Sequence, residues 1–269
     1  GQPARAIDLP GHGGDATPAS EVTLESYADA ILAAIDAPVV LVGHSMAGFP
    51  ITAAAEKAPE KIARLVHLCA YVPEGGVSLV EMRQAAPRQP LLPALEKSAD
   101  GASFTVRPEM APAVFYHDCP EEAVAYAVPR LCPQPVAPQA TPLELTERSR
   151  ALPRDYILCT DDRTIPPEYQ ATMTATPATA TAAIVYATVR SETLWTYRQP
   201  STCARTYGSP TASAGPSAGV VPWTAWPTTA LPVMRTPLAS PAPMAVTGVM
   251  PATSMSGTVS AGPPMPGTP

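Results

Sequence analysis

Residues 39–50 read VVLVGHSMAGFP and contain the pattern that decides the fold. Four aliphatic residues in a row are typical of a strand buried on both faces, and an alanine-rich apolar segment typical of a helix follows. A serine in so tight a turn needs small residues two positions before and after it, because larger side chains would collide with the backbone. Gly43 and Ala47 meet this need around Ser45, and Gly48 adds room. The pattern predicts Ser45 as a nucleophile on a strand-to-helix turn; the alternative is a structural serine in a glycine-rich loop.

Chemistry at such a serine needs three further groups. The helix after the turn directs its first N–H groups and its positive dipole end towards the serine, so we expect the Met46 N–H to donate to an oxyanion. A serine near neutral pH also needs a base, and a carboxylate that orients the base. Asp161 and Asp162 follow the strand predicted at residues 154–160. We predict Asp162 as the acid; the alternative is that both aspartates cap the helix beginning near Pro166.

The sequence contains four histidines, and none of them follows Asp162. His12 lies in the turn PGHG, where we expect its imidazole to hold the loop. His44 is the neighbour of the predicted nucleophile and should point in the opposite direction. His67 lies in an apolar strand-like run and is predicted to be a core residue, while His117, in FYHDCPEE, belongs to a predicted cap. The predicted catalytic triad is therefore incomplete.

Strand-like and helical patterns alternate along residues 1–175, which predicts an α/β fold with a parallel sheet and right-handed crossovers. The predicted strands are the continuous apolar runs at residues 39–42, 62–72 and 154–160. One predicted helix has an apolar face of residues that recur at helical spacing, Leu24, Tyr27, Ile31 and Ile35. Residues from about 73 to 150 are too many for a simple crossover and are broken by prolines. They are predicted to form an inserted cap of short helices.

Composition changes sharply near residue 175. Residues 1–175 contain 22 of the 23 acidic residues and all four histidines, whereas residues 176–269 are mostly Ala, Pro, Thr, Ser, Gly, Met and Val. So few large apolar residues at a regular period do not offset the entropy of ordering the chain. We expect 176–269 to be a low-complexity, largely disordered tail, apart from a short strand near residues 183–189. A Pro/Thr-rich linker and the frame-shifted end of a GC-rich coding sequence both account for this composition.

Charge and cysteine content narrow the classes of partner. The formal net charge of −6 and the pI of about 5.2 disfavour nucleic acid or an anionic membrane. No apolar run approaches the ~18 residues that a membrane-spanning helix needs. The five cysteines form no CxxC pair, which favours reduced thiols in a cytoplasmic protein over a disulfide framework or a zinc site. We expect no metal, no cofactor and a small-molecule substrate, and the oligomeric state stays open.

With these residues in view, the chain resembles the α/β-hydrolase superfamily, and within it the plant methyl-salicylate esterases, the hydroxynitrile lyases and their bacterial esterase relatives. The matching stretches are DLPGHGGD, LVGHSMAGFPI, HLCAYVPEGG, FYHDCPEE and DYILCTDDRTIPPEYQ. The resemblance implies that Ser45 is the nucleophile, that Asp162 orients a histidine and that the Met46 N–H is one oxyanion donor. It also implies a histidine a few dozen residues after Asp162, and a first strand with a His-Gly loop. Neither is in this sequence, so we expect a fragment with a cut amino end and a carboxyl end out of frame.

The lead hypothesis is therefore a serine carboxylesterase of small apolar or aromatic esters, impaired by the missing histidine and loop. A hydroxynitrile lyase is less favoured, because in the relatives this activity depends on a lysine beside the histidine and no lysine follows Lys97. A third hypothesis is a catalytically inactive chain that binds a small hydrophobic ligand, or a defective product without function.

Overall fold

The structure is a computed structural model that describes residues 4–175 in full and the backbone of two further strands, 183–187 and 244–247. The strands are β1 (Ala4–Ile7), β2 (Val39–His44), β3 (Ile62–Leu68), β4 (Leu95–Lys97), β5 (Ser103–Val106), β6 (Gln134–Pro135), β7 (Arg154–Cys159), β8 (Ala183–Ala187) and β9 (Met244–Thr247). The helices are α1 (Leu24–Ala33), α2 (Gly48–Lys57), α3 (Leu79–Ala85), α4 (Ala111–Phe115), α5 (Glu121–Ala127), α6 (Ala137–Ala140), α7 (Glu147–Arg150) and α8 (Pro167–Ala175).

The main sheet is parallel and has the strand order β1-β9-β2-β3-β7-β8. Helices follow its strands, so the predicted α/β class is confirmed. Because parallel strands all end at the same edge of a sheet, the turns after β2, β3 and β7 lie side by side. Ligands of open parallel sheets bind at this edge, so the fold brings the predicted site residues to the expected place.

The first helix forms for reasons that are visible in its sequence. Thr23 and Ser26 form a capping box, in which the Thr23 hydroxyl accepts from the Ser26 N–H and the Ser26 hydroxyl accepts from the Thr23 N–H. The predicted apolar face is buried in the core, as its members Leu24, Tyr27, Ile31 and Ile35 show. Burial of each of the larger side chains contributes about 1.5–3 kcal/mol, which fixes the helix against the sheet.

The cap between β3 and β7 differs from the predicted set of short helices. It contains α3 to α7, but also an antiparallel sheet of order β4-β5-β6. The turn between β4 and β5 is built by Asp100, whose carboxylate accepts from the Ala102 N–H, and by Gly101, whose φ is 71°. An Asp-Gly pair is a known hairpin signal, so this local feature would have corrected the prediction.

The composition of residues 176–269 predicts little structure, and the structure describes two short strands in this segment. The expected short strand forms as β8, which pairs with β7. An unexpected strand, β9, lies between β1 and β2 and pairs with both. The prediction of a largely disordered tail did not include this second strand, and the rest of the segment, apart from β8 and β9, lies outside the described residues. Within the described part of the chain, no helix is long and apolar enough to cross a membrane.

Candidate active site

Ser45 occupies the sharp turn between β2 and α2. Its φ is 54°, in the left-handed region, where an L-residue other than glycine pays roughly 1–2 kcal/mol. A short 3-10 turn, Ser45–Ala47, leads directly into α2. Backbone strain of this kind persists only where the surroundings impose it, and it is concentrated at functional sites. The structure therefore places Ser45 in the geometry that the sequence pattern predicts for a nucleophile.

Two glycines make this turn possible. The sequence pattern put the main need for a small residue at Gly43, but the structure leaves less space at Gly48. A Cβ on Gly43 would lie 2.7 Å from the Ala47 carbonyl oxygen, which agrees with the predicted need for a small residue. A Cβ on Gly48 would lie only 1.9 Å from the Tyr71 carbonyl oxygen. Position 48 therefore has no space for a side chain, because the backbone that follows β3 passes directly against the start of α2.

The Ser45 side chain has no role in holding its own turn. The Ser45 carbonyl oxygen accepts a hydrogen bond from the Tyr71 N–H at 3.0 Å, which fixes the turn to the segment after β3. None of the described residues forms a hydrogen bond with the Ser45 hydroxyl. Met46 comes next, at the start of the helical turn, where N–H groups lack intrahelical acceptors. The Met46 side chain is buried, and its sulfur lies 3.7 Å from the Gln139 amide nitrogen of the cap.

Asp162, the predicted acid, lies in the turn between β7 and α8. Its Oδ1 accepts from the Thr164 and Ile165 N–H groups at 2.7 and 3.0 Å, and its Oδ2 accepts from the Gln170 amide at 2.9 Å. Burial raises the pKa of Asp162 to about 6, against the opposing effect of these hydrogen bonds. The Asp162 side chain therefore holds the turn before α8, a structural role of the kind that the alternative interpretation gave it. A carboxylate offers about four lone-pair directions, so one on Oδ2 is still available for an imidazole.

Ser45 and Asp162 lie at the same edge of the sheet, with β3 between their strands. Two strand spacings of ~4.8 Å put the axes of β2 and β7 roughly 10 Å apart. Tyr71 connects the two turns, since its N–H donates to Ser45 and burial, with a contribution from the Asp162 charge, raises the pKa of its phenol. The sequence analysis did not single out Tyr71, whose only signal was its place near the end of the strand predicted at residues 62–72; the observed β3 ends earlier, at Leu68.

His117 is the histidine that faces the turn between β7 and α8, which carries Asp161 and Asp162 and is called the acid turn below. Its Nε2 lies 3.4 Å from Asp161 Oδ2, and its electrostatic interaction with Asp162 lowers the pKa of that acid, against the larger effect of burial. The carbonyl oxygen of Val114 accepts from the Thr164 hydroxyl at 2.7 Å, which fastens this part of the cap to the turn. The sequence correctly assigned His117 to the cap, but its contact with Asp161 depends on how the cap folds back, which no local pattern reveals.

Of the other three histidines, His12 and His67 are buried and His44 is half-buried, and all three are uncharged near neutral pH. His12 Nε2 lies 2.8 Å from the Tyr27 hydroxyl, so this imidazole holds its loop as predicted. His67 stacks on Tyr156 with ring centroids 6.4 Å apart, as expected of a core residue. Burial lowers the pKa of His12 and of His44 to about 4, and that of His67 to about 3. The described structure shows no hydrogen bond from any of them to Ser45.

A cavity of about 490 Å³ opens beside the acid turn. Its walls include Asp161, Asp162, Arg88 and Arg163, with apolar surface from Val114. Ser45 is not among its lining residues, and the cavity is more polar than a site for apolar esters would predict. No three His, Cys, Asp or Glu side chains in the described part of the chain converge to hold a metal ion.

The cysteines partly follow the prediction of reduced thiols. Cys69, after β3, and Cys159, at the end of β7, are free thiols close to this edge of the sheet. Cys132 takes part in a disulfide, which corrects the prediction for that residue.

A parallel sheet with a strained serine after β2 and a buried aspartate after β7 defines the class of protein. The alpha/beta hydrolase family model matches residues 3–188, and the chain belongs to this family. It is 34% identical over 179 residues to a pyrethroid hydrolase of Sphingobium wenxiniae, covering 62% of this chain and 63% of that protein. It is 27% identical over 180 residues to putative methylesterase 14, chloroplastic, of Arabidopsis thaliana, covering 61% of this chain.

The chain spans only about half, 52%, of the length of that Arabidopsis protein. Among solved structures, a pyrethroid hydrolase from Sphingobium faniae is similar with a TM-score of 0.56 and 28% identity, over 66% of this chain and 75% of the other. The resemblance to plant methylesterases and bacterial esterases that the motifs indicate is thus confirmed.

Proposed function

We propose that this chain is a carboxylic-ester hydrolase that acts on small apolar or aromatic esters through a serine acyl-enzyme at Ser45. The observation that carries the proposal is the left-handed φ of 54° at Ser45, together with a hydroxyl that no described residue engages. Names such as methylesterase and pyrethroid hydrolase among the relatives support an ester as the substrate class.

In the proposed reaction, the Ser45 oxygen attacks the ester carbonyl carbon while its proton passes to a base. The Met46 N–H donates to the oxyanion that forms, and collapse of this intermediate expels the alcohol and leaves an ester on Ser45. Water then attacks that ester and releases the acid. Asp162 orients the imidazolium through the remaining lone pair on Oδ2, and its three hydrogen bonds hold it in place for this role.

We infer that the reaction is impaired in this chain, because no histidine follows Asp162 in its sequence. Without a base, a serine hydroxyl has almost no alkoxide character near neutral pH. Loss of triad members leaves only ~10³–10⁴-fold catalysis over water, and that remainder depends on the oxyanion donors.

The test is hydrolysis of p-nitrophenyl acetate by five proteins. The parent chain should react barely above the buffer rate, and Ser45→Ala should change that rate little. A chimera that receives the amino end and the histidine-containing carboxyl end of the Sphingobium pyrethroid hydrolase should turn over. In that chimera Ser45→Ala should abolish activity, and Asp162→Asn should reduce it less severely, since a poorly oriented histidine still acts. A chimera whose activity survives Ser45→Ala contradicts the proposal.

A further outcome concerns the base. Brisk turnover by the chain as given, lost in both Ser45→Ala and His117→Gln, would show that the cap histidine serves as base and that the site is not impaired. His12→Gln is the matched control, because that imidazole is bonded to Tyr27 and should not affect the rate.

A further inference from the structure

Two free thiols lie at the ends of neighbouring strands beside the candidate active site. Cys159 is the last residue of β7, and Cys69 directly follows β3. Leu68 pairs with Ile157, and the Cys69 N–H donates to the Ile157 carbonyl oxygen at 2.8 Å. The strand register is therefore continued to Cys69, which lies one residue out of step with Cys159.

In a regular sheet this offset would keep the two thiols apart, because neighbouring residues of a strand point to opposite faces. Cys69 has a φ of 33°, which is left-handed and interrupts the alternation. The side chains of Cys69 and Cys159 can consequently approach each other, and the two thiols interact. A strand spacing of ~4.8 Å combined with a rise of ~3.3 Å puts the two Cα atoms roughly 6 Å apart, within the range of disulfides.

The two thiols differ in accessibility. Cys69 is 7% exposed, whereas Cys159 is half-buried and can be reached from solvent. The interaction with Cys159, followed by burial, raises the pKa of the Cys69 thiol, so Cys69 keeps its proton. A dissolved oxidant therefore meets Cys159 first, with Cys69 in contact behind it.

We propose that Cys69 and Cys159 form a modification site, at which a dissolved peroxide converts the two thiols reversibly into a disulfide. The Cys159 sulfur attacks one oxygen of hydrogen peroxide, the O–O bond breaks, the thiol proton leaves with the second oxygen as water, and Cys159 becomes a sulfenic acid. Cys69 then loses its proton and attacks the Cys159 sulfur, which forms the S–S bond and expels a second water. One peroxide is thus reduced to two waters as two thiols are oxidised, and an external dithiol reverses the reaction.

The disulfide would act on the acid turn. The two sulfur atoms must move from non-bonded contact to about 2.05 Å, which draws the end of β7 towards β3. Asp162 lies three residues beyond Cys159, so its turn has to move with the strand end. This inference does not depend on esterase activity, and its test does not measure activity.

The test treats the full chain with hydrogen peroxide, blocks remaining thiols with iodoacetamide and maps the peptides by mass spectrometry. The expected product is a cross-linked pair of peptides containing Cys69 and Cys159, lighter than the two separate peptides by two hydrogens, and cleaved by dithiothreitol. Because Cys69 is buried, the cross-link should form over a longer time than alkylation of an exposed thiol.

Two variants sharpen the result. In Cys69→Ser the sulfenic acid on Cys159 has no partner and should be captured by dimedone, whereas in Cys159→Ser no cross-link to Cys69 should form. Cys119→Ser is the matched control in the cap and should leave the cross-link unchanged. Oxidation of the parent to sulfinic acid at Cys159 without the cross-link, or recovery of both thiols unmodified, would overturn the proposal. The mapping of the parent decides the matter even if a variant fails to fold.

Discussion

The turns that carry Ser45 and Asp162 lie at the same edge of the sheet but are held in different ways. The Ser45 turn is held by backbone alone, through the Tyr71 N–H and the close approach of Gly48 to the segment after β3. The Asp162 turn is held by the side chain itself, whose carboxylate accepts three hydrogen bonds. Ser45 is therefore held without the use of its hydroxyl in the described part of the chain, whereas Asp162 holds its turn with the same carboxylate that the proposed function uses.

The two turns also differ in the kind of strain they carry. Around Ser45 the backbone is strained and tightly packed, and none of the described residues forms a hydrogen bond with its hydroxyl. Around Asp162 the backbone is relaxed and the strain is electrostatic, since burial opposes ionisation of the acid. Substitutions that touch backbone packing at the first turn, or charge at the second, are the ways to test this contrast.

The largest effect is expected at Gly48. In Gly48→Ala the new Cβ would have to displace the Tyr71 carbonyl oxygen, 1.9 Å away, and a clash with backbone is not relieved by rotation of a side chain. We expect a loss of stability of about 3 kcal/mol or more, measured by urea unfolding. Gly75→Ala is the matched control, because its nearest neighbours lie at 3.7–3.8 Å, and it should unfold close to the parent. Equal stability of both variants would show that close packing does not hold the Ser45 turn.

The next effect is the pH dependence that comes from Asp162. The folded state raises its pKa from 3.8 to about 6, so the folded chain binds this proton more tightly than the unfolded chain does. The stabilisation is complete below the unfolded pKa and is lost as pH rises to about 6, a change of about 3 kcal/mol. The stability of Asp162→Asn relative to the parent should therefore rise between about pH 4 and pH 7.

Urea unfolding at a series of pH values measures this difference. Asp161→Asn removes an exposed carboxylate from the neighbouring position and serves as the control, whose profile should follow that of the parent. A constant difference between Asp162→Asn and the parent at all pH values would contradict an electrostatically strained acid.

A smaller effect is expected at Ser45 itself. Ser45→Gly relieves the left-handed φ of 54° and should stabilise the chain by about 1 kcal/mol, although glycine also makes the unfolded state more flexible. Ser45→Ala keeps the strain and removes no hydrogen bond of the described structure, so it should be nearly neutral. Thermal unfolding of both variants checks the order, and a destabilised Ser45→Ala would mean that the hydroxyl holds the turn after all.

The smallest effect is expected at His117. Its electrostatic interaction with Asp162 lowers the pKa of that acid, so His117→Gln should raise the pKa of Asp162 further while leaving the hydrogen bonds of the turn intact. Carboxyl carbon NMR of Asp162 in the two proteins measures the change. A lower pKa in the variant would show that His117 does not face the acid turn.

Local patterns of the sequence were sufficient for the Ser45 turn and for the face of α1, because contiguous residues determine both. Contacts between distant segments were not predictable in this way. The need for glycine at position 48 comes from Tyr71, and the partner of Asp161 comes from a cap residue 44 positions earlier. The left-handed Cys69 and the cap strands also went unpredicted, the latter because an Asp-Gly turn was read as part of a helix.

The position of β9 has a consequence for the order in which the described strands pair during synthesis. β1 precedes the other described strands in the sequence, yet its neighbour in the sheet is β9, where Ala4 pairs with Met244. β2, β3 and β7 can pair as they emerge, but the facing edges of β1 and β2 wait for about 200 further residues. At a translation rate of roughly 5–20 residues per second this takes about 10–40 s. Throughout that interval the two strand edges are open to pairing with other chains, so β1 is synthesised before β2, β3 and β7 but joins the sheet after them.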